Sequence, residues 1–128
     1  GNLVSVVKTR ALCGDDLAIY SGTDELVVPI LSMGGIGVIS VLSNICPAVV
    51  HDICASWFEG DREKAAQLQA DYLALIEALF IDVNPIPVKA ALNMIGWKVG
   101  QCRLPLIELN EKNTAVLHTE MVKKGLLA

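Results

Sequence analysis

At 128 residues the chain has the length of one domain, or of a piece of a larger one. It is 53% hydrophobic and 19% charged, oily beside the roughly 45–50% apolar and roughly 25% charged of an ordinary domain. Its formal net charge of -4, the lack of a basic stripe and an aromatic content of only 5% argue against nucleic-acid binding.

The apolar excess calls for a large partner surface or a missing half, because a small domain has much surface per residue. A membrane span is the other explanation, and it fails. No run of about 18 uncharged apolar residues occurs, and the charge-free stretch Leu26 to His51 is broken by Pro29, Gly34, Gly35 and Gly37. Gly1-Asn2 opens an amphipathic segment rather than a signal peptide. Cys13, Cys46, Cys54 and Cys102 show no C-x-x-C spacing and read as reduced thiols; neither a disulfide nor a metal site is expected.

Along the chain, Asn2 is placed to cap a helix reaching about Cys13, with Leu3, Val6, Val7 and Leu12 on one stripe. Gly14-Asp15-Asp16 ends it, and Leu17 to Tyr20 reads as a short strand stopped by Ser21-Gly22. Thr23 is an N-cap for a helix over Leu26 to Met33, with Asp24 and Glu25 in the first turn, where the helix dipole favours acids. Gly34-Gly35-Ile36-Gly37 then leads into an apolar strand, Gly37 to Val41, of the kind buried on both faces of a parallel sheet. A helix from Pro47 to Glu59 follows. The order of helix, strand, helix, strand, helix with short links calls for right-handed crossovers and a parallel sheet.

After Gly60 no strand-like run returns. Asp61 caps a helix whose Ala65, Leu68, Tyr72, Leu75 and Leu79 recur at alternating three and four. Asn84-Pro85-Ile86-Pro87 opens another helix, with both prolines in its first turn, ending near Gly96. Arg103-Leu104-Pro105-Leu106 is an extended connector, and Asn110 caps a last helix stopped by Gly125. Residues 1–60 therefore read as α/β and residues 61–128 as a helical appendage. Two parallel strands need neighbours on both edges, so further strands are expected from another part of the protein or another chain.

Ligands of parallel α/β folds bind at the carboxyl ends of the strands, here Ser21-Gly22 and Ile39-Ser40-Val41. Gly22 removes a side chain where a ligand would meet backbone, although a turn also explains it. Ile39 is expected to pack its side chain in the sheet centre or under a helix. Ser40 and Ser43 lack a G-x-S-x-G context, and His51 and His118 are too far apart in sequence to pair with them. The glycines at 34, 35 and 37 precede a strand, whereas a dinucleotide fingerprint follows one. Asp15-Asp16 and Asp24-Glu25 suit turn and cap roles. Lys8 and Lys89 sit on helices without the burial that a Schiff-base lysine needs. No reactive group stands out.

Five segments in order resemble the C-terminal portion of dihydrodipicolinate synthase (4-hydroxy-tetrahydrodipicolinate synthase): Gly1-Asn2-Leu3, Ser21-Gly22-Thr23-Asp24, Gly34 to Val41, Asn84 to Lys89, and Arg103 to Leu106. The Gly-Val-Ile-Ser-Val and Asn-Pro-Ile-Pro-Val-Lys segments are the specific ones. The second favours this enzyme over sister pyruvate aldolases such as N-acetylneuraminate lyase. The resemblance implies the last strands, about two, of a (β/α)8 TIM barrel over residues 1–60, followed by a three-helix extension over 61–128. It implies a cytoplasmic, homo-oligomeric lyase that condenses pyruvate with aspartate semialdehyde through a Schiff-base lysine, without a cofactor, on the route to lysine and diaminopimelate. That lysine, with the family's threonines, tyrosine and arginine, would lie upstream of Gly1, leaving no catalytic residue in this chain and the isolated chain inactive. Ile39 matches the isoleucine whose backbone lines the pyruvate pocket, and Gly22 the glycine closing its other side. Thr23 stands where the family often has aspartate, and Leu3 and Met33 match positions at the contact between dimers. A sister pyruvate aldolase of the N-acetylneuraminate lyase kind and a non-catalytic barrel fragment that survives by self-association are the competing expectations.

Overall fold

The computed structural model describes residues 2–128. Helix α1 (Leu3–Cys13) leads through a 3-10 turn at Gly14–Asp16 to strand β1 (Tyr20–Ser21). A second 3-10 turn at Asp24–Leu26 leads into helix α2 (Val27–Ser32), strand β2 (Gly37–Val38), a third 3-10 turn (Leu42–Asn44) and helix α3 (Pro47–Phe58). Helices α4 (Arg62–Leu79), α5 (Ile86–Met94) and α6 (Glu111–Lys123) complete the chain. Two compact units result, Gly1–Asp71 and Tyr72–Ala128.

In the first unit β1 and β2 pair in parallel, Tyr20 with Gly37 and Ser21 with Val38. The ladder is framed by the Ile36 N–H donating to the Ile19 carbonyl and the Ile39 N–H donating to that of Ser21, both at 2.8 Å. The strands are shorter than the expected spans Leu17–Tyr20 and Gly37–Val41. Leu17 is extended, with φ -124° and ψ 119°, but lies outside the paired residues. At the other end Val41 is already helical, with φ -82° and ψ -41°.

The pleat alternates faces, so of the two placements expected for the Ile39 side chain the one under a helix is taken by Val38 instead. Val38 packs against the core of Val27, Leu31 and Ile53, which Val28, Val49, Cys54, Trp57 and Leu68 extend. Ile39 consequently points to the opposite face and is 75% exposed. Tyr20 shares that face, its ring so close to Gly37 that a Cβ there would lie 3.2 Å from ring carbons. The lead-in glycines have separate reasons. Gly34 has φ +89°, while a Cβ on Gly35 would lie 2.7 Å from the Ile30 carbonyl oxygen.

Helix caps follow the sequence closely at three places. The Asn2 side chain accepts from the Val4 and Ser5 amides, Asp61 from Lys64, and Asn110 from Asn113. Thr23 departs from its expected capping role, because its hydroxyl donates to the Glu25 carboxylate instead. Helix α2 is capped from far along the chain. Gln69 on α4 accepts from the Val28 N–H and donates to the Glu25 carbonyl, each at 2.7 Å, satisfying one of the orphan donors of the first helical turn. The stripe expected on α1 is covered only in part, with Leu3 and Val6 half-buried but Val7 51% and Leu12 86% exposed.

In the second unit α5 and α6 pack together, burying Ile86, Val88, Ala91, Leu117 and Met121. Pro85 caps α5 rather than standing inside it, and Pro87 occupies the first turn. Of the α4 stripe, Ala65, Leu75 and Leu79 are fully buried. Lys124 lies over the Tyr72 ring, 4.7 Å from its centroid.

Replacing Gln69 with leucine would strip partners from the Val28 N–H and the Glu25 carbonyl. Unfolding in urea of the protein carrying Gln69→Leu is expected to show a loss of about 1–3 kcal/mol. An unchanged midpoint would mean that the long-range cap contributes nothing.

Candidate functional site at the carboxyl ends of the strands

The carboxyl ends of β1 and β2 meet at Ser21-Gly22 and Ile39-Ser40, bringing the two sequence-selected positions, Gly22 and Ile39, onto adjoining segments. The Ser21 side chain is fully buried. Its hydroxyl donates to the Thr23 carbonyl at 2.7 Å and accepts from the Thr23 N–H at 3.3 Å, folding the chain tightly around Gly22. Gly22 is exposed, its φ lies outside the left-handed region, and a Cβ added to it would meet nothing within 4 Å. No contact within the described residues therefore demands a glycine there.

Asp24 stands in the first turn of a helical segment, as expected, here the 3-10 turn Asp24–Leu26, but it is 2% exposed, and its Oδ2 accepts two backbone hydrogen bonds from across the fold, from Val41 at 2.9 Å and Leu42 at 3.0 Å. These are amides opening the turn at Leu42–Asn44, so the carboxylate caps a turn 17 residues away. Oδ1 is buried without a hydrogen-bond partner among the described residues. Sequence reasoning missed this contact because proximity to α2 made a local role sufficient.

The Ile39-Ser40 peptide sits between these anchors. The Ile39 N–H is committed to Ser21, the Val41 N–H to Asp24, and the Ser40 hydroxyl accepts from the Ser43 N–H at 2.8 Å. The Ile39 carbonyl accepts no hydrogen bond among the described residues. Of the Ile39 backbone groups it is therefore the carbonyl, not the amide, that is left open among the described residues.

The candidate nucleophiles are engaged elsewhere. Ser43 donates its hydroxyl to the Ser40 carbonyl at 3.0 Å, so both serines shape the turn. His51 is exposed beside Asp52, and His118 is exposed on α6. Among the described residues no three His, Cys, Asp or Glu side chains gather as a metal site, and no helix is long and apolar enough to cross a membrane. In the second unit Lys89 borders a cleft of about 200 Å³ with Asn93, Gln101, Cys102 and Glu108. There the lysine Nζ donates to the Gln101 carbonyl, and Asn93 holds Gly100 and Val99. Lys89 ties down the connector after α5.

The dihydrodipicolinate synthetase family model matches residues 1–124. The 4-hydroxy-tetrahydrodipicolinate synthase 1 of Clostridium acetobutylicum is 50% identical over 127 residues, covering 99% of this chain and 43% of that protein. The dihydrodipicolinate synthase structure from Thermotoga maritima superposes with a TM-score of 0.94 at 36% identity, over 98% of this chain and 44% of that one. The chloride-inhibited enzyme from Acinetobacter baumannii, solved with pyruvate, gives 0.92 at 31% identity, over 98% and 43%. The chain thus spans less than half the length of these relatives.

Burial raises the Cys54 thiol above its ordinary range, so its thiolate forms only at higher pH. Alkylation of Cys54 followed by mass spectrometry is expected to inflect above the ordinary cysteine value of about 8.5. An inflection at or below it would contradict the packing around α3.

Proposed function

Because the chain belongs to the dihydrodipicolinate synthetase family, we propose that it is the part of a dihydrodipicolinate synthase that walls one side of the pyruvate pocket. Its fold is that of the C-terminal part of the family's (β/α)8 barrel followed by three helices. The proposed enzyme condenses pyruvate with aspartate semialdehyde for lysine and diaminopimelate synthesis, as a cytoplasmic homo-oligomer. Residues 1–60 close the barrel and residues 61–128 form the extension. Gly22 and Ile39 contact pyruvate, and the Schiff-base lysine comes from outside residues 1–128, so this chain alone is inactive.

One observation carries the reading. At the carboxyl ends of the strands the Ile39 carbonyl, without a hydrogen-bond partner among the described residues, is held between two anchored amides beside Gly22. Gly22 has no steric need within the described residues to be glycine. An aldolase pocket requires such fixed main-chain groups, because oriented dipoles that need not reorganise are worth most where charge develops. The two lysines weighed in the sequence support the same view: Lys8 is exposed, and Lys89 is committed to a carbonyl.

The protein carrying this chain is expected to consume pyruvate and aspartate semialdehyde together. Borohydride reduction in the presence of pyruvate should leave a pyruvyl adduct on a lysine outside residues 1–128, read by peptide mass spectrometry. An adduct on Lys8 or Lys89 would contradict the proposal, as would turnover of a sugar acid in place of the semialdehyde.

A further inference from the structure

Asp24 is the buried titratable group that the reading above leaves without a task, and its contacts define one. Its Oδ2 receives the Val41 and Leu42 amides at 2.9 and 3.0 Å. These amides begin two residues after Ile39, whose own N–H is fixed to Ser21 at 2.8 Å. The peptide unit carrying the Ile39 carbonyl is therefore pinned before and after, and both pins come from the four-residue segment Ser21 to Asp24. One pin is a sheet hydrogen bond that any residue at 21 supplies. The other depends on a single side chain.

We infer that Asp24 is a positioning residue for pyruvate: by holding the Val41 and Leu42 amides it fixes the direction of the Ile39 carbonyl at the pocket, without touching substrate itself. The inference rests on the pyruvate pocket proposed above and adds a residue to it. Three features separate this role from general packing. The carboxylate is 2% exposed, so water does not compete for the two amides. Its partners lie on the other strand's exit, where they reach the carbonyl through one intervening residue, Ser40. The remaining loop contacts, Ser43 to Ser40 and Asn44 to Val41, are local to the turn, so they shape the turn without fixing it to the end of β1.

Steady-state kinetics on the protein carrying this chain tests the inference, with wild-type turnover of pyruvate and aspartate semialdehyde measured first. Asp24→Ala is expected to raise the pyruvate KM by about tenfold, with the semialdehyde KM held within about twofold; uniform weakening of one substrate's binding has this signature. Asp24→Asn keeps an oxygen for the same two amides and should return the pyruvate KM to within about threefold of wild type. Should Asp24→Ala not fold, Val41→Pro removes one of the donated N–H groups from the other side, at a φ of -82° that proline approaches, and should raise the pyruvate KM in the same selective way. An unchanged pyruvate KM in the folded variant, an equal rise in both KM values, or no rescue by asparagine overturns the role of Asp24 and leaves the proposed function standing. No wild-type turnover of pyruvate with the semialdehyde defeats the proposed function, and the positioning role falls with it.

Discussion

The arrangement at the strand ends depends on one constraint: the segment after β1 holds the segment after β2 at two points, through the Ser21 carbonyl and the Asp24 carboxylate. With only two residue pairs in register, the ladder alone is too short to define where the chain goes after Val38. A carboxylate accepting two amides makes strong, charge-assisted hydrogen bonds, and burial removes the competition of water. The carboxylate ties the end of β1 to the two amides that open the turn at Leu42–Asn44.

Local rules carried much of the fold. Asn2, Asp61 and Asn110 were legible as caps because a short polar side chain before an apolar periodic run has little else to do. The α4 stripe was legible because its period is long and clean, and Pro47 stands at the first residue of α3 as its chemistry requires. The parallel pairing of the strands followed from the alternation of helices and strands with short links. Dihydrodipicolinate synthase motifs in the sequence point to the family, and the family match and superpositions bear that out.

What stayed illegible is non-local. Asp24 and Gln69 bond to residues 17 and 41 positions away; Asp24 had a sufficient local explanation in sequence, and nothing in the sequence marked Gln69. An apolar run hides which face each residue takes, so the two placements open to Ile39 are separated only by the contact of Val38 with the Val27–Leu31–Ile53 core. The exposure of Val7, Leu12 and Ile39 accords with the oily composition, since apolar surface left uncovered in one part of a fold is surface that another part is built to meet.

The central claim is that Gly22 and Ile39 wall a pyruvate pocket. A crystal structure of the protein carrying this chain, trapped with pyruvate and borohydride, addresses it most directly. The expected result is pyruvyl density facing Gly22, with the Ile39 carbonyl oxygen within roughly 2.7–3.5 Å of a polar group of the adduct or its lysine. Pyruvyl density remote from the ends of β1 and β2, with that carbonyl facing only solvent, would contradict it.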